Sequence, residues 1–272
     1  MSFPVYFNVG PLRLHPHFVL ELVAYALGLY LALFRRLHKP TAPNLNFLPS
    51  ALPSALPPAL PPALPEILPA ERTSISVGAL VGALLGAKLL VAFQHLDLLG
   101  SNGRMFLLVL LQGKTIVGAL LGGLIGVEVT KKYIGVRRST GDSFVYSVLW
   151  GMAIGRVGCF LTGLSDRTYG IATTLPWGVD FGDGISRHPT QLYEVAFLLL
   201  LFVALRLYKQ QPRREGDLFK LFMVAYLSFR FGVDFIKPEF RPVFGLSAIQ
   251  IACLGGLLYY RKDFVRLLAC PS

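Results

Sequence analysis

The sequence predicts an all-α fold, a polytopic membrane helix bundle of about seven transmembrane helices, and three observations predict it. The chain is 54% hydrophobic and only 15% charged, with a mean hydropathy of +0.57, too apolar for soluble domains or for a disordered chain. Apolar runs of about 20 residues, the length that crosses a hydrocarbon core, recur along its length. Most basic residues collect between those runs. All of 1–272 reads as a single integral-membrane domain.

The runs fall at 18–34, 75–94, 105–128, 143–162, 191–208, 218–236 and 245–260. Their length without strict alternation excludes a membrane β-barrel, and in lipid a helix is then the structure that satisfies its own backbone. The first run is no typical signal peptide, because no basic segment precedes it and no small-residue cleavage site follows it. After it comes a Pro/Leu/Ala-rich linker over 41–73, with proline at every fourth position from Pro49 to Pro69. Each ring removes a backbone donor and clashes with the preceding turn, so the stretch predicts an extended cytoplasmic spacer with no chemistry of its own. Runs two and three carry Gly78, Gly82, Gly86 and Gly118, Gly122, Gly126 at four-residue steps. Such strips let helix backbones approach closely.

Charge sets the orientation. Arg35, Arg36 and Lys39 follow the first run; Lys131, Lys132, Arg137 and Arg138 the third; Lys209, Arg213 and Arg214 the fifth; Arg261, Lys262 and Arg266 the seventh. The alternate connections are poorer in bases, which predicts an outside N-terminus and a cytoplasmic C-terminus. The net charge of +11 is therefore largely topological, directed at anionic membrane lipids, and no nucleic-acid partner is expected. Cys159, Cys253 and Cys270 show neither paired spacing nor adjacent histidines, so no disulfide framework, metal site or cofactor is expected.

Ionisable groups inside the runs point to function, because each costs about 2.5–3.5 kcal/mol at mid-membrane on insertion scales. Glu21, Lys88, Lys114, Arg156, Glu194, Arg230 and Asp234 all fall there. Arg230 and Asp234 are four apart and read equally as a structural ion pair. Lys88 reads equally as a snorkelling lysine. Arg156 has glycines around it in GMAIGRVGCF and no carboxylate within one helical turn, so a bound phosphate is its expected counterpart. Downstream, RHPTQLYE places His188, Gln191, Tyr193 and Glu194 at the start of the fifth run, with Pro189 suited to a helix's first turn. His188 and Tyr193 read equally as an interfacial cap and an aromatic-belt residue.

Those motifs carry a resemblance. GRVGCF at 155–160, RHPTQLYE at 187–194 and SFRFGVDFIKPE at 228–239, with VGPLRLH at 9–15 and GGLIGV at 122–127, resemble the bacterial prolipoprotein diacylglyceryl transferases. The resemblance implies transfer of diacylglyceryl from phosphatidylglycerol to the lipobox cysteine thiol of a preprolipoprotein signal peptide, at the bacterial inner (plasma) membrane in lipoprotein biosynthesis. It implies that Arg156 binds the phospholipid headgroup and that His188 and Lys237 join it in catalysis. Gln191, Tyr193, Glu194, Arg230 and Lys114 would line the substrate site. No cofactor is implied.

Three departures qualify the match. The family's span-three histidine, commonly read as its general base, is replaced by Val117 or Leu121 depending on register; Cys159 stands for an asparagine, and Lys237 for an arginine. Loss of a base costs about 10²–10⁴-fold where it transfers the proton. Lys114 or His188 would have to supply it, with a paired lysine as the competing reading of Lys114. The alternative to an enzyme is a homologue that binds an anionic lipid or lipoprotein without transfer; a small transporter fits less well, since the ionisable groups gather near one membrane depth.

Overall fold

The computed structural model describes residues 3–37, 67–209, 214–238, 240–241 and 244–263. Linker residues 41–66, Lys39, Arg213, Glu239, Arg266 and Cys270 lie outside the described residues. The architecture is all-α, with two short hairpins. In chain order come β1 (Phe7–Val9), β2 (Leu12–Leu14), α1 (Pro16–Leu37), α2 (Pro69–Gln94), α3 (Leu96–Ser101), α4 (Gly103–Gln112), α5 (Ile116–Ile134) and α6 (Val145–Thr162). Then follow β3 (Val179–Asp180), β4 (Ser186–Arg187), α7 (Thr190–Lys209), α8 (Asp217–Val233) and α9 (Ala248–Tyr259). Among the described residues, α2, α7 and the helical stretch Val145–Asp166 are long and apolar enough to cross a membrane. The bent pair α4 and α5 makes a fourth if it is one span. The protein is thus a membrane protein.

Local chemistry sets the helix ends. Proline stands at the start of α2, where its missing N–H costs nothing, and the Leu68 N–H donates to Glu71 Oε2 at 2.9 Å. That first turn takes up the last residues expected in the linker. Gly135 ends α5 with φ +79°, a left-handed cap open to glycine. Ser247 and Gln250 form a reciprocal capping box on α9.

The third expected span, 105–128, is corrected: it is broken. Helices α4 and α5 meet at 71°, with Gly113 in an extended conformation between them. The break frees carbonyls at the end of α4, and Lys88 Nζ donates to those of Leu110, Leu111 and Gly113 at 3.0, 2.7 and 2.8 Å. Lys88 therefore does not snorkel. It satisfies backbone oxygens that the bend exposes.

The glycine strips behave as the spacing predicts. A Cβ on Gly82 would lie 2.3 Å from the Gly122 carbonyl oxygen, one on Gly86 2.3 Å from that of Gly118, and one on Gly126 2.1 Å from that of Gly78. Helices α2 and α5 thus run antiparallel, backbone against backbone. Away from this seam, Leu80, Leu84, Leu85, Leu89 and Phe93 of α2 are exposed, as a lipid-facing surface would be.

The core proper lies between α6, α7, α8 and α9, around Leu149, Leu198, Leu205, Phe222, Tyr226 and Cys253. At one end of these helices Asp142 accepts from the Gly216 and Phe219 amides at 2.7 and 2.9 Å. At the opposite end Val5 N–H donates to Leu161 O, Phe3 packs on Phe160 and Phe181, and Ile171 N–H donates to Ile236 O. The N-terminal hairpin, the 163–189 loop and the segment after α8 share that second end.

Candidate functional site

Arg156 sits on the buried side of α6, 7% exposed, and its counterpart is a protein carboxylate. The expectation that it lacked one is corrected. Its Nε lies 2.9 Å from Glu194 Oε2 on α7, an ion pair whose N–H is not aligned on the oxygen. A reading confined to one helical turn misses a partner on another helix. Glu194, 1% exposed, also accepts from Tyr226 Oη at 2.7 Å and has Arg230 Nη1 at 3.8 Å. The Arg230–Asp234 pair read from four-residue spacing is present at 3.6 Å, and Asp234 accepts further from the Ser247 hydroxyl. Lys237 is buried after α8. Three helices therefore deliver a buried network of guanidinium and carboxylate groups, the arrangement in which removal of one member leaves the others without compensation.

Gln191 lies one turn before Glu194 on α7. It is 1% exposed, and among the described residues neither its amide oxygen nor its nitrogen has a hydrogen-bond partner. An unsatisfied buried amide costs about 1–3 kcal/mol, so this position suits a polar occupant.

His188 precedes α7 and Tyr193 lies on its first turn, where the two side chains meet. Tyr193 Oη lies 3.1 Å from His188 Nδ1 and accepts from Trp177 Nε1 at 2.8 Å. His188 is seated because Gly170 leaves room: a Cβ there would lie 2.6 Å from the histidine's own. The loop between α6 and α7 is pinned by Arg187, whose hydrogen bond to Asp183 at 2.6 Å holds that exposed carboxyl below the usual carboxylate range.

Lys114 is not a free amine positioned for a base. Its Nζ bonds to Glu21 on α1.

A second group of side chains, adjoining the first, escaped the sequence reading. Gly158 lets α1 approach α6, since a Cβ there would stand 3.3 Å from Leu20 Cβ and 3.5 Å from His17 Cα. The glycine therefore admits a helix, and not the headgroup its small neighbours suggested. His17 thereby reaches α6: its Nδ1 is 3.9 Å from Cys159 Sγ and 3.5 Å from Asp166 Oδ1. Its Nε2 is 3.5 Å from Glu21 Oε2. Cys159 has a histidine neighbour after all, 142 positions away in sequence. Arg156 Nη1 lies 4.0 Å from the same sulfur, which joins the two groups. Beside them opens a cavity of about 360 Å³ lined by His15, His17, Phe18, Glu21, Thr162, Ser165 and Asp166. The one local signal in the sequence was the four-residue step from His17 to Glu21.

The family model described as prolipoprotein diacylglyceryl transferase matches residues 68–260. Curated proteins named phosphatidylglycerol–prolipoprotein diacylglyceryl transferase are similar to this chain. That of Cupriavidus necator is 36% identical over 143 residues, 49% of this chain and 51% of the relative. That of Nitratidesulfovibrio vulgaris is 38% identical over 146 residues, 49% and 54%, and that of Glaesserella parasuis 36% over 162 residues, 52% and 59%. The chain spans about half the length of the curated relatives it matches.

Proposed function

Since the chain belongs to the prolipoprotein diacylglyceryl transferase family, we propose that it transfers the diacylglyceryl group of phosphatidylglycerol to the lipobox cysteine thiol of preprolipoprotein signal peptides. One observation carries the reading. The buried Arg156 guanidinium is engaged at Nε by Glu194 and has Nη1 turned to Cys159, next to a cavity of about 360 Å³. A guanidinium braced at Nε keeps its remaining N–H donors for a phosphate oxygen, and the cavity-lining His17 lies beside the sulfur that Nη1 faces.

In this reading the phosphate of the lipid takes the Nη edge of Arg156, and the peptide thiol enters beside it. The thiol gives its proton to water, the sulfur attacks the glyceryl carbon, the C–O bond to phosphate breaks, and the electron pair leaves on glycerol phosphate, where Arg156 stabilises the developing charge. Arg230 holds Glu194 in place, and Lys237 supplies a further buried cation after α8. Gln191 supplies an amide for the polar headgroup. Tyr193 and His188 shape the outer rim. The membrane is the bacterial inner membrane, the chain is one domain of seven spans with its N-terminus outside, and the hairpin end of the bundle faces out.

The test is purified protein with phosphatidylglycerol and a lipobox peptide. Thioether-linked diacylglycerol on the peptide is expected, and Arg156→Ala should lower it at least 10²-fold with membrane insertion intact. Lipid bound without glycerol phosphate release would reject the transferase in favour of a lipid-binding homologue. Unaltered turnover in Arg156→Ala would remove that residue from the mechanism.

A further inference from the structure

The geometry points to a divalent metal site of the zinc class formed by His17 Nδ1, Cys159 Sγ and an Asp166 carboxylate oxygen, with its fourth position open to the adjoining cavity. These three donors come from α1, α6 and the 3-10 turn Gly163–Asp166, and lie within 4.8 Å of one another. Tetrahedral zinc, with bonds of about 2.0–2.3 Å, separates nitrogen, sulfur and oxygen donors by roughly 3.4–3.6 Å. The histidine stands 3.5 Å from the aspartate oxygen and 3.9 Å from the sulfur, so two of the three donor pairs are near that size and the third lies within 4.8 Å. A thiolate with an imidazole and one carboxylate suits a borderline-soft ion and not magnesium or calcium, which take oxygen ligands.

The surroundings of each donor favour the same reading. A metal-bound imidazole as a rule turns its other nitrogen to a carboxylate, and His17 Nε2 faces Glu21, which Lys114 holds in turn. Asp166 uses its other oxygen, Oδ2, to accept from Thr168 Oγ1 at 2.6 Å, which leaves Oδ1 toward the histidine. Arg156 stands 4.0 Å from the sulfur and joins this group to the ion-pair network. Three protein ligands beside an opening is the pattern of a reactive zinc site; a structural site closes its fourth position. His17 and Asp166 themselves line the opening.

What the site would do rests on the transferase reading. The incoming peptide thiol takes the fourth position and gives its proton to water. Its sulfur then forms the C–S bond to the glyceryl carbon as the C–O bond breaks toward the phosphate at Arg156. The neutral thioether leaves the ion, and the phosphate ester departs with the electron pair. A bound metal deprotonates a coordinating thiol outright, which supplies the thiolate that the absent span-three histidine would otherwise have to generate.

The probe is cobalt(II) titrated into the full chain in detergent micelles, with metal content of the protein as purified measured alongside. About one equivalent of metal and a thiolate-to-cobalt charge-transfer band are expected. Cys159→Ser should abolish the band, His17→Ala and Asp166→Asn should weaken binding at least tenfold, and Glu21→Gln should weaken it about 10–100-fold with the band retained. Cys253→Ala, which keeps a remote buried cysteine out of account, should leave the band unchanged. No band at saturating cobalt, or a band that survives Cys159→Ser, overturns the site. Metal bound in a protein that transfers nothing leaves the site standing and rejects the reaction. Transfer by metal-free protein at the wild-type rate leaves the reaction standing and rejects the metal's part in it.

Discussion

Two interfaces of this bundle are built on small residues and end in opposite chemistry. Between α2 and α5 the glycines meet glycines, so backbone lies on backbone and no ionisable group enters the seam from those positions. Between α1 and α6, Gly158 meets His17 and Leu20, and the close approach delivers a histidine to a cysteine and an aspartate. A glycine step on a helix therefore states that something approaches. The residue it faces decides whether the approach makes a seam or a site.

The largest expected effect is at the polar side of this comparison. Glu194→Ala leaves Arg156 and Arg230 buried beside a missing carboxylate, and breaking a buried ion pair costs about 3–5 kcal/mol. Denaturant unfolding in micelles measures this, and the same variant should lose transfer because Arg156 loses the group that braces it. A loss below about 1 kcal/mol would mean that the network is hydrated and that the two interfaces differ less than their burial indicates.

The next effect belongs to the seam. A methyl on Gly122 would stand 2.2 Å from the Gly82 carbonyl oxygen, and a backbone atom cannot swing aside, so Gly122→Ala should cost about 1–3 kcal/mol. One residue on, a Cβ at Gly123 has its nearest neighbour at 3.4 Å, and Gly123→Ala should be neutral or should stabilise by about 0.5–1 kcal/mol through the better helix propensity of alanine. Unfolding midpoints of the two variants test the pair. Transfer per folded molecule should be the same in both, because the seam carries none of the site residues. Equal midpoints would show that α2 and α5 slide past one another freely.

The same contrast explains how much the sequence disclosed. Repeating features within one helix were legible: the four-residue glycine steps, the Arg230–Asp234 spacing, and Pro189 ahead of α7 all correspond to observed geometry. Features that need two distant helices were not. Glu194 as the partner of Arg156 lies 38 residues on by their numbers, and His17 meets Cys159 across 142. Hydropathy also passed over the break at Gly113, because Gly113 and Lys114 sit between apolar flanks that average to a continuous span. The 71° turn, the extended Gly113 and the three carbonyls held by Lys88 reveal it.

The smallest effect is at the surface, and it sharpens what burial contributes. At the end of the bundle away from the site, Arg138 hydrogen-bonds Glu215 and joins the connection before α6 to the one before α8. The guanidinium holds the Glu215 carboxyl below its ordinary value of 4.5. A depressed carboxyl contributes stability that is complete above its unfolded value and disappears as pH falls through the folded one. Wild type should thus lose this increment on acidification below about pH 4.5, whereas Glu215→Gln should lack it at every pH and show a flatter acid limb. The carboxylate is half exposed, so screening keeps the difference within the roughly 0–1 kcal/mol of surface ion pairs, and added salt should shrink it further. Acid unfolding of the two proteins at low and high salt measures it. A salt-insensitive loss as large as that of Glu194→Ala would place this pair in a dry environment, and the division between a buried reactive end and a solvated anchoring end would fail.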